Sequence, residues 1–186
     1  MKPIFFSFFL LTIIACNSKE KNDQDILIPF LRKNNQFVYV NPSGQVLINQ
    51  TFDKAGLFKN GIAVVMINDR EYYINKDGKK LFDLPFERVK SFKDGVGRVK
   101  LSGKWGCINR EGQFLIAPQW DEIGEFNEEY VAVKKDKKWG YLNRKGELVI
   151  PLLYDDANDF KNGLAKVSLG EISFYIGKQG KAWREP

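Results

Sequence analysis

Two stretches decide the fold: Lys138-Trp139-Gly140-Tyr141-Leu142-Asn143-Arg144-Lys145-Gly146 and, 34 residues earlier, Lys104-Trp105-Gly106-Cys107-Ile108-Asn109-Arg110-Glu111-Gly112. Stepping outward at the same interval, with no insertion or deletion, meets Gly44, Gly78, Gly112, Gly146 and Gly180. The asparagine three places earlier gives Asn41, Asn75, Asn109 and Asn143, with Gly177 in the fifth slot. Further series are Phe58, Phe92, Phe126, Phe160 and Val65, Val99, Val133, Val167. A fixed period of this size marks a repeat architecture, in which each unit buries its apolar face against its neighbours.

Within a unit, three apolar segments are separated by two tight turns. The first turn falls at Asn34-Asn35, Asn68-Asp69, Ser102-Gly103, Asp136-Lys137 and Gly170-Glu171, where most pairs contain residues that tolerate the positive φ of a two-residue hairpin. The second is Asn-x-x-Gly: a type I turn followed by a left-handed glycine. The segments between them, such as Tyr130–Val133, Trp139–Leu142 and Leu148–Ile150, are β-branched and aromatic, with no helical stripe. Two hairpins sharing a strand make a three-stranded antiparallel meander. Its central strand is apolar on both faces and so must lie between neighbouring units.

The expected fold is therefore all-β: five tandem 34-residue meander units beginning near Ile26, Asn60, Asp94, Glu128 and Asn162, stacked as an open β-repeat solenoid. A closed propeller-like ring is the alternative. Pro29 in the first strand cannot donate to a ladder, and the last unit carries Ser173 and Gly177 where others have Trp and Asn. Both ends thus read as caps, which favours the open form. A connector of about twelve residues joins the units and carries an aromatic-acid pair: Phe52-Asp53, Phe86-Glu87, Trp120-Asp121, Tyr154-Asp155. The aromatics read as wedges between units, and the acid as an acceptor for turn amides. A ring of calcium ligands would need a denser carboxylate cluster.

The chain contains no histidine, which removes the commonest general base and transition-metal ligand. No catalytic, metal or cofactor residue is recognised. Cys107 fills a slot where other units carry Tyr39, Tyr73, Tyr141 and Tyr175, so it reads as a buried, unreactive thiol.

Residues 1–15 hold one lysine and an apolar run from Ile4 to Ala15, too short to span a bilayer and patterned as a secretory signal. The run ends Ile13-Ile14-Ala15-Cys16, which resembles the lipobox of bacterial lipoprotein signal peptides. That resemblance implies that Cys16 is the mature, lipid-bearing N-terminus. Residues 16–25 then form a polar tether, and residues 26–186 the repeat domain. Asn17 in place of an inner-membrane retention Asp favours the outer membrane where one exists.

The phrases KWGCINREG (104–112) and KWGYLNRKG (138–146) closely resemble the bacterial WG-repeat family. The resemblance implies a β-repeat architecture, often in envelope or secreted proteins, with no general activity and no catalytic residues to carry over. The expected function is a membrane-anchored, non-enzymatic binding or scaffolding module of the cell envelope. Its formal charge of +6 suits an envelope protein or an anionic polymer as partner rather than nucleic acid, with the membrane engaged through the lipid anchor. The alternatives are an envelope glycan hydrolase using paired acids such as Asp121 and Glu122 or Asp155 and Asp156, and a purely structural protein. Cations crowd the hairpin turns (Lys33, Arg70, Lys104, Lys134, Lys135, Lys137, Lys138 at one end; Lys76, Lys79, Lys80, Arg110, Arg144, Lys145 at the other) and acids the connectors; solvation of exposed turns accounts for most of this, the alternative being separate stripes of opposite sign that steer a charged partner.

Overall fold

A computed structural model describes residues 26–183; residues 1–25, on which the expected signal peptide, tether and Cys16 fall, lie outside the described residues, as do residues 184–186. Five antiparallel sheets follow one another along the chain. The first contains β1 (Ile28–Leu31), β2 (Phe37–Val40) and β3 (Val46–Phe52); the second β4 (Lys54–Ala55), β5 (Ala63–Ile67) and β6 (Arg70–Ile74). The third contains β7 (Arg88–Val89), β8 (Gly97–Leu101), β9 (Lys104–Ile108) and β10 (Phe114–Trp120), and the fourth β11 (Glu122–Ile123), β12 (Tyr130–Lys135), β13 (Lys138–Asn143) and β14 (Leu148–Tyr154). The fifth contains β15 (Asp156–Ala157), β16 (Leu164–Leu169) and β17 (Ile172–Gly177).

The expected meander is present, and the connector adds to it. Each third strand runs on almost without a break into a two-residue strand that pairs with the next sheet, as Lys54–Ala55 does with Val65–Met66 and Glu122–Ile123 with Val133–Lys134. The third segment at Leu81–Phe82 forms no strand; isolated bridges flank it, Ile74 to Lys80 and Glu71 to Phe86. Asp83 and Pro85, both poor strand formers, follow it there.

The second turn holds throughout, and the two-residue first turn in four of the five units: Asn68 and Asp69, Ser102 and Gly103, and Asp136 and Lys137 all have positive φ. At Asn34-Asn35 the loop is wider than expected, with Asn35 alone left-handed and its N–H donated to the Arg32 carbonyl, as in the Asn-x-x-Gly turn. In the second turn each glycine, from Gly44 (φ 84) to Gly146 (φ 78), donates its N–H to the asparagine carbonyl at 2.9–3.1 Å. The Asn109 and Asn143 side-chain oxygens each accept two turn amides besides.

The core is a series of interfaces, not a centre. Tyr39, Ile48 and Phe52 of the first sheet meet Ala63, Val65 and Ile74 of the second; Tyr73 and Phe86 meet Val89, Val99 and Ile108; Ile116 and Trp120 meet Val131, Val133 and Leu142; Tyr141, Ile150 and Tyr154 meet Ala165, Val167 and Ile176. Burying one such aromatic stabilises by roughly 1.5–3 kcal/mol. The last sheet turns Lys166, Ser173 and Tyr175 outward on the face that internal units bury, and Tyr175 is 48% exposed where Tyr39 and Tyr141 are 0%. This is a polar C-terminal cap, and the array is an open, solenoid-like stack.

Glycine in the Trp-Gly dipeptide is required by close approach. A Cβ on Gly140 would lie 2.5 Å from the Ile150 carbonyl oxygen, and one on Gly106 2.5 Å from that of Ile116, where the third strand bulges across the central one. The trailing glycine of Asn-x-x-Gly seats on the preceding unit instead: a Cβ on Gly78 would meet Ile48 Cγ2 at 2.7 Å, whereas nothing lies within 4 Å of Gly44. Gly44→Ala should therefore cost only its left-handed backbone strain, about 1–2 kcal/mol. Gly78→Ala should cost about 1–3 kcal/mol more, from overpacking between units. Equal losses in urea denaturation would show that the seat does not bear on stability.

Candidate functional site

Most of the polar groups repeated along the chain are engaged in holding the units together. The connector acids accept the amides of the next first hairpin: Asp53 from Asn68 N–H at 2.7 Å, Glu87 from Gly103 at 3.0 Å, Asp121 from Asp136 at 3.0 Å, Asp155 from Gly170 at 2.8 Å. This is the role the sequence assigns them. The same acids meet the cations of the preceding hairpin, since Lys104 binds Asp121 and Lys138 Nζ lies 2.6 Å from Asp155. Lys134 reaches Glu122 at 2.8 Å and also lies over the Trp139 ring. The separation into stripes of opposite sign is thus not found at this edge: Lys104 and Asp121 flank the cross-strand pair Trp105–Trp120, Lys138 and Asp155 flank Trp139–Tyr154, and Glu122 and Lys134 are themselves register partners, each pair within one sheet. The lysine hydrogen bond and then the turn amide hold the carboxyls of Asp121 and Asp155 below the usual carboxylate range.

The central-strand tyrosines have an equally fixed task. Tyr39 Oη donates to the Gly56 carbonyl at 2.6 Å, Tyr73 to Lys90 at 2.5 Å and Tyr141 to Asn158 at 2.7 Å, each pinning the connector 17 residues ahead. Burial raises the pKa of all three. In the third unit Cys107 has no hydroxyl to offer. Arg98 takes over: its Nη1 donates to the carbonyls of Ile123 and Gly124 at 3.3 and 3.2 Å. Cys107 itself is 0% exposed, and desolvation pushes its thiol up to about 12, in keeping with a packing role.

Arg98 opens the most distinctive part of the surface, at the junction of the third, fourth and fifth units. Its Nη2 binds Glu125 Oε1 at 2.8 Å, while Lys93 Nζ binds Oε2 at 2.8 Å. Both carboxylate oxygens are thereby engaged, and the Lys93 hydrogen bond leads the lowering of the Glu125 pKa. Asp159 accepts the Glu125 backbone N–H; desolvation and then the Glu125 charge push its carboxyl upward. Open cavities of about 680 and 420 Å³ lie on either side of Asn158, Asp159 and Lys161. The period points to residue 159 only as one connector slot among several; the juxtaposition with Arg98 and Glu125 requires the stacked geometry.

The chain matches the model of the WG containing repeat family over residues 39–70, 73–105, 105–139 and 139–171. It belongs to that family. No curated protein matches it. Among solved structures it is similar to BamB from Moraxella catarrhalis, with 8% identity and a TM-score of 0.48, over 85% of this chain and 57% of that one. It is similar also to KlHsv2 with loop 6CD replaced by a Gly-Ser linker, with 8% identity and a TM-score of 0.47, over 80% and 58% of the two chains. A protein of unknown function from Bacteroides caccae matches at 14% identity with a TM-score of 0.32, over 86% and 77%. The chain thus spans somewhat over half the length of the first two.

Two outcomes check the site. Arg98→Ala should lose about 2 kcal/mol in denaturant unfolding by leaving connector carbonyls without a donor. The double variant Arg98→Ala/Cys107→Tyr, which recreates the Ala132 and Tyr141 combination of the fourth unit, should recover most of that loss; no recovery would mean Arg98 acts otherwise. For Asp159 the folded pKa is raised, so its stabilising contribution is present when the carboxyl is protonated and is lost as pH rises through the folded pKa. Asp159→Asn should melt above wild type at neutral pH, with the difference closing toward about pH 3.

Proposed function

We propose that this protein is a non-enzymatic binding or scaffolding module of the bacterial cell envelope, held at a membrane by acylated Cys16. One observation carries the non-enzymatic part of the reading. Asp53, Glu87, Asp121 and Asp155, the acids that recur along the array, are all consumed in fastening hairpin amides. What remains for function is an extended surface of near-equivalent units, over which binding energy spreads across several positions. The partner in this reading is an envelope protein or an anionic polymer, recognised in part by charge. The anchor reading rests on the Ile13-Ile14-Ala15-Cys16 stretch and the polar segment after it.

The glycan-hydrolase alternative has Asp159 on its side, a carboxyl raised by desolvation beside the ionised Glu125, as an acid and base pair requires. Against it, both Glu125 oxygens are occupied by Lys93 and Arg98. The acids first singled out, Asp121 and Asp155, have lowered pKa values, the reverse of what a general acid needs.

Mass spectrometry of the mature protein should find an acylated peptide beginning at Cys16, and Cys16→Ser should leave that peptide unacylated. An intact Met1 in the membrane fraction would overturn the anchoring. Cross-linking in intact cells should capture a partner that Asp159→Asn still binds. Release of reducing sugar from envelope glycan by wild type, abolished in a folded Asp159→Asn variant, would establish the hydrolase instead.

A further inference from the structure

The two edges of the array differ in charge. At the first-hairpin edge, Lys104, Lys134 and Lys138 are matched by Asp121, Glu122 and Asp155. The edge bearing the Asn-x-x-Gly hairpins and the strand starts that follow them is not balanced. Over residues 41–48, 75–82, 109–116, 143–150 and 177–182 it carries eight lysines and arginines against three acids, Asp77, Glu111 and Glu147. Eight less three is +5, of the chain's +6. Glu129 and Glu128, from neighbouring turns, pair with Arg144 and Lys178, but Lys79, Arg110, Lys145 and Lys181 form no ion pair among the described residues.

Apolar side chains stand exposed among these cations. Val46 and Leu47 at the start of β3, Phe114 and Leu115 of β10, and Leu148 and Val149 of β14 are each 37–48% exposed. They occupy the same two repeat slots of the first, third and fourth units, with Lys80 and the half-buried Leu81 in the second, so the exposure belongs to the rim and not to one unit. Leu115 borders a cavity of about 280 Å³ with Val96, Phe126 and the Arg144 guanidinium, which lies over the Phe126 ring. A cation of one unit thus sits beside an apolar residue of the unit before it.

We propose that this rim lies against an anionic lipid bilayer, its apolar tips entering the headgroup boundary and its cations meeting lipid phosphates. Charge complementarity decides the occupant together with the state of the strand edges. An added peptide strand needs a long regular edge, whereas β10 and β14 carry Pro118 and Pro151 and both lose register with their partners. A polyanion alone would leave the six apolar side chains without a role. The opposite edge also exposes Leu31, Leu169 and Ile172, but its paired charges give it no comparable attraction.

The test uses the full chain carrying Cys16→Ser, so that acylation plays no part and a failure here leaves the proposed anchoring untouched. Sedimentation with vesicles of phosphatidylcholine containing phosphatidylglycerol should exceed that with phosphatidylcholine alone and should fall in high salt. Since each cation near such a surface contributes about a fivefold factor, Lys79→Glu/Arg110→Glu/Lys145→Glu should weaken binding at least tenfold. Phe114→Ser/Leu148→Ser should weaken it several-fold, and the charge-matched control Lys33→Glu/Lys135→Glu/Lys137→Glu much less than the rim reversal. All variants lie at exposed or half-exposed positions and should keep the wild-type melting temperature. Equal loss in control and rim variants would reduce the effect to net charge. Binding unchanged by any substitution would assign it to residues 1–15, and undiminished binding by Phe114→Ser/Leu148→Ser would make the rim a polyanion site; each result overturns the proposal.

Discussion

Everything in this structure depends on the hold that one unit's central strand takes on the connector leading to the next. A tyrosine hydroxyl buried between sheets must find an acceptor, and the carbonyl 17 residues ahead supplies it at 2.5–2.7 Å. That bond fixes where the connector begins its second strand, and so where the next sheet stands. The connector acid then fastens the following hairpin from the other side. Short connections thus set the angle between neighbouring sheets, and apolar burial fills the space they define.

The third unit shows that the geometry is conserved while the chemistry is exchanged. Cys107 keeps the slot buried but forfeits the ring and its hydroxyl donor, and Arg98, one strand away, reaches the equivalent carbonyl, that of Gly124. An arginine has donors to spare, so the substitution also recruits Glu125 and, through it, Lys93. The most polar junction of the array thus arises from repairing a lost hydroxyl. Whatever binds there meets charge that the structure needed first.

Much of this was legible in the chain. Asn-x-x-Gly gives its turn at every occurrence because the asparagine side chain and the left-handed glycine each satisfy a local demand. The acid after the connector aromatic could be read as an amide acceptor for the same local reason. The connector strands were not legible: Lys54–Ala55, Arg88–Val89, Glu122–Ile123 and Asp156–Ala157 share no β-forming pattern and pair because the chain leaving one unit delivers them to the next sheet, in three of the four cases directly from a third strand. Nor does Leu81–Phe82, apolar as its counterparts are, reveal that it stays out of the ladder, between isolated bridges at Lys80 and Phe86. The pairing of turn cations with connector acids was hidden likewise, since it depends on the bulged register that sets Trp105 opposite Trp120 and Trp139 opposite Tyr154.

The empty seat above Gly44 and the polar face around Tyr175 have a mechanical consequence. Internal units are gripped on two sides, while each terminal unit has only one described neighbouring sheet. Under tension such a stack yields from its ends, one sheet at a time. The ion pairs of Arg98 and Lys93 with Glu125 tie the third sheet to the connector into the fourth, inside the stack, so a pulled chain would shed its outer sheets while the middle kept its shape.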